Sequence, residues 1–134
     1  MNVLFFLLPK ASCAFINETD TLRQVLEKME YHHYTAIPLL SKDGKYLGII
    51  SEGDLLYYFK NNNVSKESLN QINIKNVKIA KEIKAITINN SIESLVELII
   101  NQNFVPVIDD SKTFIGIITR KKVIEYLVKK YSLH

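Results

Sequence analysis

The chain repeats itself. Ile37-Pro38-Leu39-Leu40, followed by Tyr46-Leu47-Gly48-Ile49-Ile50-Ser51, returns as Val105-Pro106-Val107-Ile108, followed by Phe114-Ile115-Gly116-Ile117-Ile118-Thr119, at a constant offset of 68. The register continues through Leu55/Val123, Leu56/Ile124 and Tyr58/Tyr126, so two apolar runs and the segment after them are duplicated together. A repeat of this kind commits the fold to two copies of one supersecondary unit. Upstream, Leu22, Val25, Leu26 and Met29 follow i, i+3, i+4, i+7 spacing, and Ile92, Leu95, Val96 and Ile99 do the same at an offset of 70. Each half therefore opens with an amphipathic helix. The change of offset gives the first half two extra residues, which fall at Thr35-Ala36.

Start and turn signals divide each half further. Asp20 precedes the first helix, and Ser91 precedes the second, with Glu93 in its first turn. Ser41-Lys42-Asp43-Gly44-Lys45 and Asp109-Asp110-Ser111-Lys112 supply turn chemistry between the paired apolar runs. Each half reads strand, helix, strand, turn, strand, helix, with the first strands expected at residues 13–16 and 83–88. Residues 1–60 form repeat one, residues 61–76 a polar linker docked through Leu69, Ile72 and Ile74, and residues 77–134 repeat two. The expected class is α/β (α+β), each repeat a small sheet with two helices. Neither half can cover such a sheet alone, so the two are expected to pack face to face as one disc-like module.

Composition removes several classes of function. A net charge of +3, dispersed along 134 residues, is no basic face for nucleic acid. The lone Cys13 cannot form an internal disulfide; His32 and His33 are adjacent and His134 is terminal, so no metal-ligand spacing exists. The apolar opening of residues 1–9 lacks the basic start of a signal peptide, and no run is long enough to span a bilayer. A cytoplasmic protein is expected. No glycine-rich phosphate loop and no nucleophile–base pair can be assigned, and two of the four glycines are placed by the strand repeat. The chain is not expected to be an enzyme.

Apolar–Pro–apolar–apolar, then apolar–Gly–Ile–Ile–Ser/Thr and a helix, twice in one short chain, resembles the CBS-domain pair, or Bateman module. The resemblance runs from about Pro9 to Tyr131. Leu8-Pro9-Lys10-Ala11-Ser12-Cys13-Ala14, Tyr34-Thr35-Ala36-Ile37-Pro38 and Phe114 to Arg120 are most similar to small stand-alone cyclic di-AMP-binding CBS proteins of low-GC Gram-positive bacteria. The resemblance implies two related clefts, each taking its adenine-contacting segments from one repeat and its ribose-phosphate segment from the other.

Carried onto this chain, cleft one combines Ser12, Cys13, Ala14, Tyr34, Thr35, Ala36 and Ile37 with Thr119, Arg120, Lys121 and Lys122. Backbone groups at a strand end can read an adenine edge, and Tyr34 is a candidate stacking partner. Thr119 and the free N–H groups after it suit a phosphate, to which Arg120 adds charge-assisted donors. Cations in a first helical turn oppose the dipole, so their clustering at Arg120–Lys122 calls for an anionic partner. Cleft two combines Ile83, Lys84, Ala85, Asn103, Phe104 and Val105 with Ser51 and Asp54. Ser51-x-x-Asp54 matches the family's ribose-phosphate motif and is equally a capping box. Glu52 and Asp54 make that turn acidic, and the lack of a Thr35-Ala36 counterpart shortens the facing loop, so cleft two is expected to be empty or to take a less charged ligand. Lys122 stands where the family's carboxylate is usual, which favours a doubly bridged dinucleotide over a mononucleotide in cleft one.

The function expected from the resemblance is regulatory: cyclic di-AMP, or AMP, ADP or ATP, binds in the cleft, and its occupancy is relayed to a partner protein. A stringent-response synthetase or a metabolic carboxylase is conceivable as that partner. No cofactor, nucleic-acid or membrane partner is expected, and a homodimer is. The alternative is a ligand-free structural or dimerisation CBS module.

Overall fold

The computed structural model describes residues 1–132, so His134 lies outside the described residues. In chain order the strands and α-helices are Leu8–Pro9 (β1), Ile16–Asn17 (β2), Leu22–His32 (α1), Ala36–Leu40 (β3), Tyr46–Ser51 (β4), Glu52–Asn61 (α2), Ile86–Thr87 (β5), Ile92–Asn101 (α3), Phe104–Ile108 (β6), Phe114–Thr119 (β7) and Arg120–Tyr131 (α4). This is the mixed α/β content expected of two repeats, with four α-helices and two small sheets among the described residues. None of the described helices is long and apolar enough to cross a membrane.

The chain divides into two compact units, residues 14–82 and residues 1–13 with 83–134. The second unit recruits the N-terminal segment of the chain, which the repeat pattern by itself assigns to the first half.

In the unit of residues 14–82 the sheet order is β2-β3-β4, with β2 parallel and β4 antiparallel to β3. The strands turn over a loop in which the Ser41 N–H donates to the Lys45 carbonyl and Gly44 takes φ +84°. Leu22, Val25 and Met29 of α1 bury against Ile16, Ile37, Ile50 and Leu55. The α1 cap is Thr21, one residue later than expected: its hydroxyl accepts from the Gln24 N–H, while Asp20 accepts from the Asn17 N–H. Both residue types cap well, and the carboxylate is taken by the turn that precedes the helix. Leu69, Ile72 and Ile74 of residues 61–76 pack on this core: Ile74 is fully buried, and the Ile72 carbonyl accepts from the Leu22 N–H.

The unit of residues 1–13 and 83–134 repeats the pattern with an addition. Its sheet order is β1-β7-β6-β5, β1 lying antiparallel on the outer edge of β7. Val3 and Phe6, on a 3₁₀ turn before β1, bury against Leu95, Val105, Ile118 and Val123. Val3 and Phe6 thus face inward, while Leu4 and Phe5 of the same apolar segment remain exposed. Tyr126 of α4 meets Phe5 and Phe6 edge-on at centroid separations of 5.4 and 5.3 Å. The first strands of both repeats are shorter than expected, two residues each at Ile16–Asn17 and Ile86–Thr87, because only those residues find a partner on β3 or β6.

Two matched bonds correct the position of the extra residues in repeat one. The Glu52 N–H donates to the Thr35 carbonyl at 2.9 Å, and the Arg120 N–H donates to the Asn103 carbonyl at 2.8 Å. Ala36 opposes Ser51 as Phe104 opposes Thr119. Thr35 and Ala36 therefore do have counterparts, in Asn103 and Phe104. The length difference lies upstream: α1 is one residue longer than α3, and His33 adds a left-handed residue (φ 57°) after it. The position of Tyr34 is then filled in repeat two by Gln102.

Candidate functional site

Three local constructions carry the expected site residues, and each is built inside one unit.

The first is the start of α4. Thr119 ends β7 and caps the helix, its hydroxyl accepting from the Lys122 N–H at 3.2 Å. The first turn holds no acidic residue, and Lys121 and Lys122 are exposed. Arg120 behaves differently from its neighbours. Its Nε donates to the Ile99 carbonyl at 2.8 Å, Nη2 to the Ile100 carbonyl at 3.2 Å and Nη1 to the Asn103 Oδ1 at 2.9 Å. The guanidinium closes the C-terminus of α3, where orphan carbonyls and the negative dipole end favour a cation. Expected to offer its donors to a phosphate, Arg120 thus gives most of them to the fold. Three of its five N–H groups are spent on the fold, leaving two for any ligand. In the same unit Ser12 and Cys13 end a 3₁₀ turn that packs against β7. Ser12 is exposed and Cys13 half-buried, its Sγ donating to the Pro9 and Leu8 carbonyls at 3.3 and 3.4 Å. Burial pushes this thiol up from its ordinary pKa, with a smaller opposing effect from the Ile117 backbone.

The second construction is the segment leading into β3 in repeat one. Ala14 is half-buried ahead of β2, and Tyr34, Thr35, Ala36 and Ile37 lead into β3. Tyr34 stacks on His32 at 5.1 Å. Tyr34 and Thr35 line an open hollow of about 570 Å³ with Met29, Glu30, Glu52 and Leu55. The Ser51–Asp54 pair belongs to the same unit and forms the full capping box: the Asp54 N–H donates to Ser51 Oγ at 3.1 Å and the Ser51 N–H to Asp54 Oδ2 at 3.0 Å. Asp54 Oδ1 also accepts from the Ala80 N–H at 3.1 Å, so both oxygens of this 7 % exposed carboxylate already hold a backbone donor. It lines a second hollow of about 420 Å³ with Tyr57, Tyr58, Asn61 and Lys78.

The third is the corresponding segment leading into β6 in repeat two. Ile83, Lys84 and Ala85 precede β5, and Asn103, Phe104 and Val105 lead into and begin β6. The side chain that links these segments is one that sequence reasoning missed. Gln102, 8 % exposed, accepts from the Lys84 N–H at 3.0 Å through Oε1, and its Nε2 donates to the Lys84 carbonyl at 3.1 Å and the Phe104 carbonyl at 3.3 Å. Aligning the halves on their strands instead of their helices would have set Gln102 against Tyr34 and exposed the substitution.

The CBS domain family profile matches residues 8–61 and 74–129. A crystal structure of CbpB in complex with cyclic di-AMP is similar at a TM-score of 0.87 and 25% identity, over 96% of this chain and 85% of that one. A hypothetical conserved protein from Geobacillus kaustophilus is similar at 0.85 and 29%, over 97% and 98%. The Listeria monocytogenes CbpB protein, also solved with cyclic di-AMP, shares the fold at 0.83 and 23%, over 96% of each chain. No protein of curated function matches the sequence. The two matched segments carry the duplicated strands and helices, and no enzyme family is indicated. With most of its length accounted for by two copies of this repeat, the chain belongs to the CBS domain family, as a tandem CBS pair of the regulatory kind.

Proposed function

We propose that this CBS pair senses cyclic di-AMP and relays its occupancy to a partner protein. The base-reading groups in this reading are Ser12, Cys13, Ala14, Tyr34, Thr35, Ala36 and Ile37, and the phosphate-binding groups are Thr119, Arg120, Lys121 and Lys122. The observation that carries it is the first turn of α4, where Lys121 and Lys122 stand exposed with no acidic neighbour in the turn and no ion pair among the described residues. The Arg120 and Lys122 N–H groups are taken by Asn103 and Thr119, so the attraction for an anion comes from the positive end of the helix dipole and from the two lysines, which oppose that dipole until an anion arrives. Two phosphates suit two lysines. The likeness to CbpB solved with cyclic di-AMP supports that nucleotide.

A ligand that binds only the folded state raises its stability by about 2.7 kcal/mol at a hundredfold excess over Kd. Thermal melts should therefore rise by several degrees with cyclic di-AMP and by less with AMP or ATP. Concentration-independent melts with all three would reject the proposal. The dimerisation reading is supported by an exposed apolar stripe on α4, formed by Ile124, Leu127, Val128 and Tyr131 at i, i+3, i+4, i+7. A homodimer joined there is compatible with ligand sensing. A strict monomer at micromolar concentration by light scattering would remove it.

A further inference from the structure

We infer that the Gln102 side chain is a built-in substitute for an adenine edge, closing the base-reading peptide of repeat two so that only that of repeat one is open to a purine. The inference rests on the proposed base-reading role of the segments leading into β2 and β5, and adds a residue that decides which of them can be used.

The Watson–Crick edge of adenine places an acceptor, N1, beside an amino donor, N6. A primary amide presents the same pair, an acceptor oxygen beside an NH₂ group. Gln102 directs that pair at a single residue, Oε1 taking the Lys84 N–H and Nε2 giving to the Lys84 carbonyl, at 3.0 and 3.1 Å. Its second amide hydrogen goes to Phe104, so both donors are consumed. The amide is more than nine-tenths buried, where exchange for water would cost more than at a surface. A base approaching Lys84 would have to displace a satisfied, desolvated group that is already part of the chain. In repeat one the matching peptide is Ala14 and the matching side chain is Tyr34, a phenol that has no amide pair to offer. It turns instead onto His32. Of the differences between the base-reading segments of the two repeats, the exchange of Tyr34 for Gln102 is the one that falls on the hydrogen-bonding pattern a purine would use.

The test is calorimetric titration of the full chain with AMP, comparing wild type with Gln102→Ala and Gln102→Tyr, the latter installing the side chain of repeat one. Each variant is expected to bind one more AMP per chain than wild type. The reciprocal Tyr34→Gln should lose at least tenfold in AMP affinity at the remaining site. No added site in either Gln102 variant, with the helical signature intact by circular dichroism, would overturn the inference. Gain is scored against wild type, so a wild type that binds neither AMP nor cyclic di-AMP would count against the proposed function alone, while a site gained by Gln102→Ala would still uphold the role of Gln102.

Discussion

The Arg120 guanidinium donates to the Ile99 carbonyl at 2.8 Å and so ties the first residue of α4 to the last turn of α3. With the further bonds to Ile100 and Asn103, this half-buried arginine holds together the helix end and loop that lead into β6. Arg120→Ala should lose about 1–3 kcal/mol of stability in urea denaturation, the usual scale for removing charge-assisted bonds to helix-end carbonyls. Arg120→Lys should recover little, because a point charge cannot reproduce the fork. Stability within about 0.3 kcal/mol of wild type for the alanine variant would return Arg120 to the solvated role that its place in a basic turn suggests.

Gly116 and Gly48 occupy the same place in the two repeats, yet their surroundings predict different tolerance. A Cβ at Gly116 would lie 2.2 Å from the Leu8 carbonyl oxygen, while one at Gly48 would lie 2.9 Å from Cδ1 of Ile79. Backbone cannot yield as a methyl group can. Gly116→Ala should displace β1 and cost more than about 2 kcal/mol, and Gly48→Ala should cost clearly less. Equal losses in thermal melts would contradict the pairing of β1 with β7.

The Cys13 thiol is held up by burial and is given to the Pro9 and Leu8 carbonyls. Its folded pKa exceeds its unfolded one, so its contribution is complete below the unfolded value and fades as pH rises through the folded value. Alkylation by iodoacetamide in mildly alkaline buffer should be slower than for a free cysteine. Wild type should also lose more stability than Cys13→Ala on passing into more alkaline solution. A fast-reacting Cys13 would mean that the thiol is neither desolvated nor engaged.

The repeat was legible because it depends on apolar period and on punctuation, which survive in one sequence: the offset of Ile37 to Val105 places β3 and β6, and Ser51, Ser91 and Thr119 cap the helices that follow them. What escaped was set by contacts between segments. The two-residue β1 is too short to show a period, the bounds of β2 and β5 are blurred for the same reason, and the pairing of Leu8 with Ile117 joins residues far apart in the chain. The extra length of repeat one was misplaced because a helix one residue longer and a left-handed His33 leave no signature in apolar spacing. The basic turn was visible as charge, but the return of Arg120 onto α3 and the clamp of Gln102 on Lys84 depend on where a side chain points once its loop is folded.

Direct titration of the full chain with cyclic di-AMP, alongside the Lys121→Ala/Lys122→Ala double variant, most directly tests whether the first turn of α4 receives the phosphates. Saturable binding is predicted for wild type, with affinity at least tenfold weaker in the double variant, a difference of about 1.4 kcal/mol or more. The unliganded melt of that variant should not fall, since the lysines oppose the dipole of α4. No binding by wild type at ligand concentrations on the order of 100 µM, or undiminished affinity in the double variant, would contradict that role for the turn.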